Sequence, residues 1–181
     1  MIFRLVDRLA AALSIVSLVA ASAAILALIG ITMWEVGARY LFNAPTIWAF
    51  DLAWMLNGAG FMLGAAFTLR AGQHVAIDVF SEMMPRRLRK GILAAVLLLL
   101  FLPAILLLAD AAWEQTARAY LRGEVERVSP WKPLIWPFRA VLLFALVCLA
   151  VETVAQALRA ALVAAGRDPG PVGAAREAAH G

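Results

Sequence analysis

Charged side chains inside apolar stretches are the residues of this sequence that could do chemistry, because a charge in a membrane-spanning segment is a functional candidate. They are Glu35, Arg39, Asp51 and Glu152. Carboxylates at such positions could bind a proton or a cation. For Glu35 and Arg39 the spacing favours local pairing instead, since residues four apart are neighbours on a helix.

Asp51 and Glu152 carry separate expectations. Asp51 either caps a helix or pairs near the surface that Glu35 occupies, or it pairs with a partner protein, since it lies between Trp48 and Trp54. For Asp51 these interpretations stay open. Glu152 falls toward one end of its apolar segment, where we expect it to reach water rather than to form an ion site.

Enzyme chemistry is excluded by the scarcity of suitable residues. The two histidines are His74, in a loop, and His180, near the end of the sequence, so no haem can be held between facing helical histidines. A glycine-rich phosphate loop is missing, which excludes ATP hydrolysis of the usual design. The single cysteine, Cys148, excludes an internal disulfide and is expected to be a small core residue. We therefore predict a protein that is not an enzyme and holds no cofactor.

The composition indicates which secondary-structure elements hold these charged residues. Hydrophobic residues make up 64% of the 181 residues and charged residues 15%, with a mean hydropathy of +0.86. A soluble domain has about 45–50% apolar residues. The sequence thus predicts an all-α integral membrane protein, because a helix of about 20 apolar residues crosses a bilayer. Four spans are expected, at about 10–34, 46–69, 91–112 and 134–156, with Pro103 bending the third rather than ending it.

The segments outside the spans are short. Residues 1–165 are predicted to form one membrane domain and 166–181 a flexible cytoplasmic tail. Span three is expected to continue as a helix that Gly123 ends. Between spans two and three, apolar residues recur at helical spacing from Ile77 to Leu88, which predicts a short amphipathic helix at the membrane surface. The basic residues beside it are expected to contact lipid headgroups; they are Arg86, Arg87, Arg89 and Lys90.

Basic residues are unevenly divided between the two sides of this arrangement. Ten of the sixteen lie on the side that holds both termini and the loop between spans two and three. Lys and Arg concentrate in cytoplasmic loops, so both termini are predicted to be cytoplasmic. The pI near 10.0 is therefore explained by orientation and lipid contact, and nucleic acid is not an expected partner.

All six tryptophans fall on or near the opposite, outer side. One interpretation is that basic residues anchor the inner face, so that aromatic anchors are needed only outside. The other is that the outer rim docks a partner protein, because tryptophan and tyrosine are favoured at interfaces. The rim residues are Arg39, Trp48, Asp51, Trp131 and Trp136.

Span two carries the strongest packing signal. Asn57, Gly60 and Gly64 share one helix face, and the two glycines form a Gly-x-x-x-Gly motif. Small residues let two helix backbones approach closely, and an asparagine can hydrogen-bond across the contact. This face is predicted to pack tightly, either within the chain or against another chain.

Two motifs resemble those of a known family. The first is Arg-Tyr-Leu-Phe-Asn at residues 39–43, followed by Trp48 and an acid at Asp51, and the second is Arg-x-Gly-x-His-Val-x-Ile-Asp at residues 70–78. Over about residues 10–155 the chain resembles the DctQ family, the small membrane subunit of tripartite ATP-independent periplasmic (TRAP) transporters. Asp51 departs from the pattern, which more often has glutamate, so the carboxylate there has a shorter reach.

The resemblance implies a scaffold role in the bacterial inner membrane. In the family a periplasmic binding protein captures an organic acid, a large membrane subunit holds the substrate and sodium sites, and the small subunit braces the large one. Sodium is thus expected in the partner and not in this chain. Around Arg70, His74 and Asp78 the resemblance implies either that the end of span two is fixed against its neighbours or that a local turn network forms without a ligand.

A different interpretation is a small homo-oligomeric membrane transporter or channel. Such proteins place an essential carboxylate in the middle of a span. The first span has no charge from Leu9 to Trp34, which counts against this alternative.

Overall fold

The computed structural model describes residues 2–71 and 85–166, and its regular elements there are helices. They are α1 (Ile2–Leu41), α2 (Ala49–Arg70), α3 (Arg86–Val96), a π-helical turn (Leu97–Phe101), α4 (Leu102–Arg122) and α5 (Trp136–Ala164). Since α3, the π turn and α4 follow one another without a break, the chain has four helices long and apolar enough to cross a membrane. This confirms the predicted all-α, four-span fold. The predicted surface helix falls largely on residues 72–84, and most of the predicted tail on 167–181, both outside the described residues.

The π turn in the third long helix has a local cause. Pro103 lacks a backbone N–H, and its ring would clash with the carbonyl of Leu99 in a regular α-helix. The π turn ends at Phe101, so the wider backbone lies where this carbonyl must move aside. The helix then continues to Arg122, which confirms that Pro103 does not end it.

Helix α5 lies at the centre of the packing, in contact with α1, α2, α3 and α4. Helix α1 contributes a buried seam of small and polar residues spaced three and four apart: Asp7, Ala10, Ser14, Ser17, Ala21 and Ala24. Small side chains at this spacing allow close approach of helix backbones. The α2 residue Leu63 packs on this seam at Ala21, together with Ala145 of α5.

We name each end of the helix bundle by one residue that lies there. At the Arg70 end, α2 and α5 end and α3 begins. Gly91 of α3 lies close to α5 there, since a Cβ added at Gly91 would be 3.7 Å from the Ala164 Cβ. At the Trp136 end lie the connections from α1 to α2 and from α4 to α5. Gly123 ends α4 with a left-handed φ of 59°, as the sequence predicts.

Candidate functional site

Four charged side chains meet at the Arg70 end, and we call them the four-charge cluster: Asp7 of α1, Arg70 of α2, and Glu152 and Arg159 of α5. Arg70 Nη1 donates to Glu152 Oε2 at 3.0 Å, and Arg70 Nη2 lies 3.6 Å from Asp7 Oδ1. Arg159 Nη2 donates to the same Asp7 oxygen. Alternating charges therefore join three helices.

Glu152 is the most deeply buried member of the cluster, with 0% of its surface exposed. Besides its bond with Arg70, the carboxylate accepts hydrogen bonds from Ser14 Oγ at 3.0 Å and from Gln156 Nε2 at 2.9 Å. The expectation that Glu152 reaches water is therefore wrong. The small side chains of α1 let that helix pack directly over the carboxylate, and Arg70 covers it from α2.

Sequence reasoning missed this cluster, although the sequence carries a signal for it. Asp7 and Ser14 are seven residues apart, and Glu152, Gln156 and Arg159 follow one another at spacings of four and three. Such spacings place polar residues on a single stripe of each apolar helix. Two polar stripes in two apolar helices indicate that the helices face each other, because polar groups in a membrane find partners.

Arg70 belongs to the predicted motif with His74 and Asp78, which lie outside the described residues. The described contacts of Arg70 reach α1 and α5, so they tie the end of α2 to two other helices. The basic stretch that follows begins at the same end of the bundle. Of its side chains, those of Arg87 and Arg89 are exposed and that of Lys90 is half-buried.

At the Trp136 end, the Glu35 carboxylate joins α1 to the connection that follows it through hydrogen bonds. Arg39 Nη2 lies 2.5 Å from Glu35 Oε1, so the predicted pair forms. The other carboxylate oxygen accepts hydrogen bonds from the Thr46 backbone N–H, at 3.1 Å, and from the Thr46 hydroxyl. Asn43 adopts a φ of 51°, a left-handed conformation that asparagine tolerates, which turns the chain from α1 toward α2.

Asp51 begins a second link at the same end. It is 3% exposed and accepts a hydrogen bond from Ser129 Oγ, in the connection between α4 and α5. Ser129 Oγ in turn accepts a hydrogen bond from the Trp131 backbone N–H at 3.0 Å. Of the two interpretations of Asp51, the one realised in these contacts is pairing within the chain.

The connection between α4 and α5 is a hairpin, in which Val125 and Leu134 pair in antiparallel fashion. Arg139 holds it in place, because its Nη1 donates to Glu124 Oε2 at 2.8 Å and to the Gln115 carbonyl at 3.1 Å. Arg139 therefore ties the hairpin to α5 and also ties α5 to α4.

The predicted rim residues differ in accessibility. Arg39 and Trp131 are exposed, Trp48 and Trp136 are half-buried, and Asp51 is buried. The ring of Trp136 packs edge-to-face against Tyr120, with ring centroids 5.4 Å apart. Arg39 and Trp131 are thus the rim side chains most open to contact from outside.

The predicted packing face of α2 is divided. A Cβ at Gly60 would lie 3.4 Å from Ile25 Cγ1 and 3.7 Å from the Ala21 carbonyl oxygen, so this glycine is packed against α1. Asn57 is exposed, and a Cβ at Gly64 would meet nothing within 4 Å. One member of the face therefore packs inside the chain and two do not.

Neither end offers a metal centre within the described part of the chain. Residues 2–71 and 85–166 contain no group of three or more His, Cys, Asp and Glu side chains that could hold a metal ion. Cys148 is 1% exposed and lies in the packed core of α5. The arrangement of charges described above holds helices together.

These features define a class of protein: a multi-pass helical membrane protein whose buried charges, within the described residues, are paired with its own side chains. Residues 28–163 match the family described as "Tripartite ATP-independent periplasmic transporters, DctQ component". Because the match covers well over half of the sequence, the chain belongs to this family. It is a TRAP transporter small permease component, and the prediction that it is not an enzyme is confirmed by this membership.

Individual relatives agree with the family. The chain is 30% identical over 70 residues to the sialic acid TRAP transporter small permease protein SiaQ of Vibrio cholerae, covering 39% of this chain and 40% of that protein. It is 36% identical over 76 residues to the sialic acid TRAP transporter permease protein SiaT of Haemophilus influenzae, covering 42% of this chain and 12% of that protein.

A third relative is the C4-dicarboxylate TRAP transporter small permease protein DctQ of Vibrio cholerae, 37% identical over 65 residues, with 33% of this chain and 26% of that protein covered. The matched segments thus span less than half the length of each of these relatives.

Proposed function

We propose that this chain is the scaffold subunit of a sodium-coupled TRAP transporter that imports an organic acid. In this proposal a larger membrane subunit carries the substrate and sodium sites, and a periplasmic binding protein delivers the substrate. The chain itself takes no cofactor. It lies in the bacterial inner membrane with both termini in the cytoplasm, an orientation supported by the ten basic residues on that side.

One observation carries the scaffold role. Within the described residues, each buried acidic side chain accepts a hydrogen bond from another side chain of this chain: Asp7 from Arg159, Asp51 from Ser129, and Glu152 from Arg70. A carboxylate held in this way is occupied with helix packing and is not free to coordinate a transported ion. The geometry therefore supports a rigid support rather than a transport path.

The partner and the substrate class are supported by the relatives. The H. influenzae relative is a permease protein of which the matched segment is only 12%, so a segment similar to this one is part of a much longer permease chain. The names of the relatives specify sialic acid and C4-dicarboxylates. Both are carboxylates, which supports an organic acid as the substrate here.

The first prediction tests the scaffold role. When the chain is co-expressed with a large TRAP membrane subunit from the same genome, we expect the two to co-purify in detergent. Proteoliposomes holding both should take up a carboxylate when the binding protein and an inward sodium gradient are supplied, and those holding either subunit alone should not. Uptake by this chain alone, abolished by Asp51→Asn, would instead establish the small self-contained transporter.

The second prediction concerns the outer rim as a docking surface for the binding protein. Trp131 is exposed on the hairpin. Tryptophan is enriched among the interface residues whose replacement by alanine costs about 2 kcal/mol or more of binding free energy. We expect Trp131→Ala to weaken binding of the binding protein to the nanodisc-embedded complex about thirtyfold, as measured by surface plasmon resonance. Trp113→Ala is the matched control, because Trp113 is also exposed but belongs to α4 and not to the hairpin. Equal affinities for the two variants would exclude Trp131 from the docking surface.

A further inference from the structure

One stripe of α2 contains the three exposed residues of that helix. Its members recur at spacings of seven, four, three and four residues and therefore share a helix face; they are Phe50, Asn57, Phe61, Gly64 and Thr68. Phe50, Asn57 and Phe61 are exposed, with exposed fractions of 78% for Phe50 and 82% for Phe61. Gly64 and Thr68 are half-buried. We call this set the α2 stripe.

Asn57 makes the α2 stripe unlike an ordinary lipid-facing surface. It is the ninth residue of α2 and lies about 12 Å along the axis from Ala49, well inside a hydrocarbon core of about 30 Å. Its amide forms no side-chain hydrogen bond to any residue in the described ranges. The backbone N–H groups around it are used by the helix, so its oxygen finds no donor there. Such an amide is costly in lipid until another polypeptide supplies a partner.

Gly64 provides open space on the same face of α2 as Asn57. A Cβ on Gly64 would meet nothing within 4 Å, whereas one on Gly60 or Gly58 would meet α1 or Phe138. No neighbouring side chain therefore covers the position of a Cβ at Gly64, and the exposed ring of Phe61 lies beside it on the helix. A second helix can approach closely at the glycine while Phe61 packs along its side.

Within residues 2–71 and 85–166, the other exposed surfaces lack this combination. Leu99 and Leu107, on the third long helix, are exposed and apolar, which suits lipid chains. On α1, the exposed Thr32 hydroxyl already donates to the Leu28 carbonyl. Ser22 of α1 is also exposed, but a serine hydroxyl can rotate to bond a carbonyl of its own helix. Asn57 therefore distinguishes α2 from the faces that lipid can satisfy.

We propose that the α2 stripe is the surface on which a transmembrane helix of the larger subunit packs, with Asn57 hydrogen-bonded to a polar side chain or backbone carbonyl of that helix. This inference rests on the proposed function, which supplies the larger subunit as the partner. The occupant is a helix that presents a hydrogen-bonding group at the depth of Asn57 and a side chain that fills the space above Gly64.

The third prediction tests contact directly. The photoreactive residue p-benzoylphenylalanine is placed at Phe61, or at Leu107 as a control, and the co-expressed complex is irradiated in membranes. We expect an adduct with the larger subunit from position 61 and none from position 107. Adducts that join two copies of this chain, adducts from position 107 alone, or no protein adduct from position 61 would overturn the assignment.

Paired variants then test the two features separately. Asn57→Leu and Gly64→Leu should each lower the yield of co-purified larger subunit at least fivefold, whereas Gly30→Leu, at a glycine with equally open surroundings on α1, should not. The unfolding midpoint of the isolated chain should stay unchanged in all three. A complex that survives both α2 variants overturns the stripe and leaves the scaffold role intact. A wild-type chain that never co-purifies overturns the scaffold role itself.

Discussion

Replacing Glu152 by glutamine is expected to lower the free energy of unfolding of the full-length chain by about 3–5 kcal/mol in detergent micelles. The carboxylate is 0% exposed and accepts hydrogen bonds from Arg70, Ser14 and Gln156. Glutamine keeps the size of the side chain but removes its charge. The Arg70 guanidinium then loses its close charged partner, and the nearest remaining carboxylate is that of Asp7, at 3.6 Å. A buried charge without a close partner is among the most destabilising changes known.

The control and the double variant make this prediction specific. Glu114→Gln removes a carboxylate that pairs with Arg118 at an exposed site, where the change should be within about 0.5 kcal/mol. Glu152→Gln combined with Arg70→Gln should be less destabilising than the sum of the two single changes, because neither charge is then left alone. Asp7 keeps Arg159 in that variant. Chemical denaturation followed by tryptophan fluorescence gives all four values, and equal effects of the Glu114 and Glu152 variants would contradict the buried cluster.

Gly60→Leu is expected to destabilise the contact between α1 and α2 by about 1–3 kcal/mol. A Cβ added at this position would itself lie 3.4 Å from Ile25 Cγ1 and 3.7 Å from the Ala21 carbonyl oxygen. The remaining atoms of a leucine side chain would therefore overlap α1, and the helices would have to separate. The same unfolding measurement applies here.

Two companion variants show whether the effect is one of space. Gly60→Ala adds only the Cβ, which sits at ordinary contact distances, so the unfolding midpoint should change little. Gly64→Leu projects into open surroundings and should leave the isolated chain as stable as the wild type. If Gly60→Leu and Gly64→Leu behave alike in the isolated chain, the division of the α2 face is wrong.

The fold was largely predictable because a bilayer imposes a simple rule on sequence. Long apolar segments must be helical to satisfy their backbone groups, so four segments predict four helices. Local features followed from spacing or from single residues, as with the Glu35–Arg39 pair and the end of α4 at Gly123. These features depend on residues close together in the chain, where helix geometry alone determines which side chains meet.

The four-charge cluster was not predicted because it depends on which helices are neighbours. Arg70 and Glu152 are 82 residues apart, and Asp7 and Arg159 are 152 apart. Hydropathy shows that each segment is a helix but not which side of it faces which other helix. The polar stripes on α1 and α5 carry that information, and they become decisive only when compared with each other.

Asp51 illustrates the same limit at the other end. Its position near the start of α2 could be predicted, but its partner Ser129 lies in a hairpin whose course depends on Arg139 and Glu124. A single sequence does not determine that course.

The four-charge cluster also has an electrical consequence. Its two carboxylates and two guanidinium groups sum to zero net charge, and the contacts between them keep all four within one compact group. A transmembrane potential acts on net charge that moves, at about 2.3 kcal/mol per elementary charge per 100 mV. Movement of this group within the field therefore transfers almost no charge. Membrane voltage therefore does almost no electrical work on the four-charge cluster when the cluster moves.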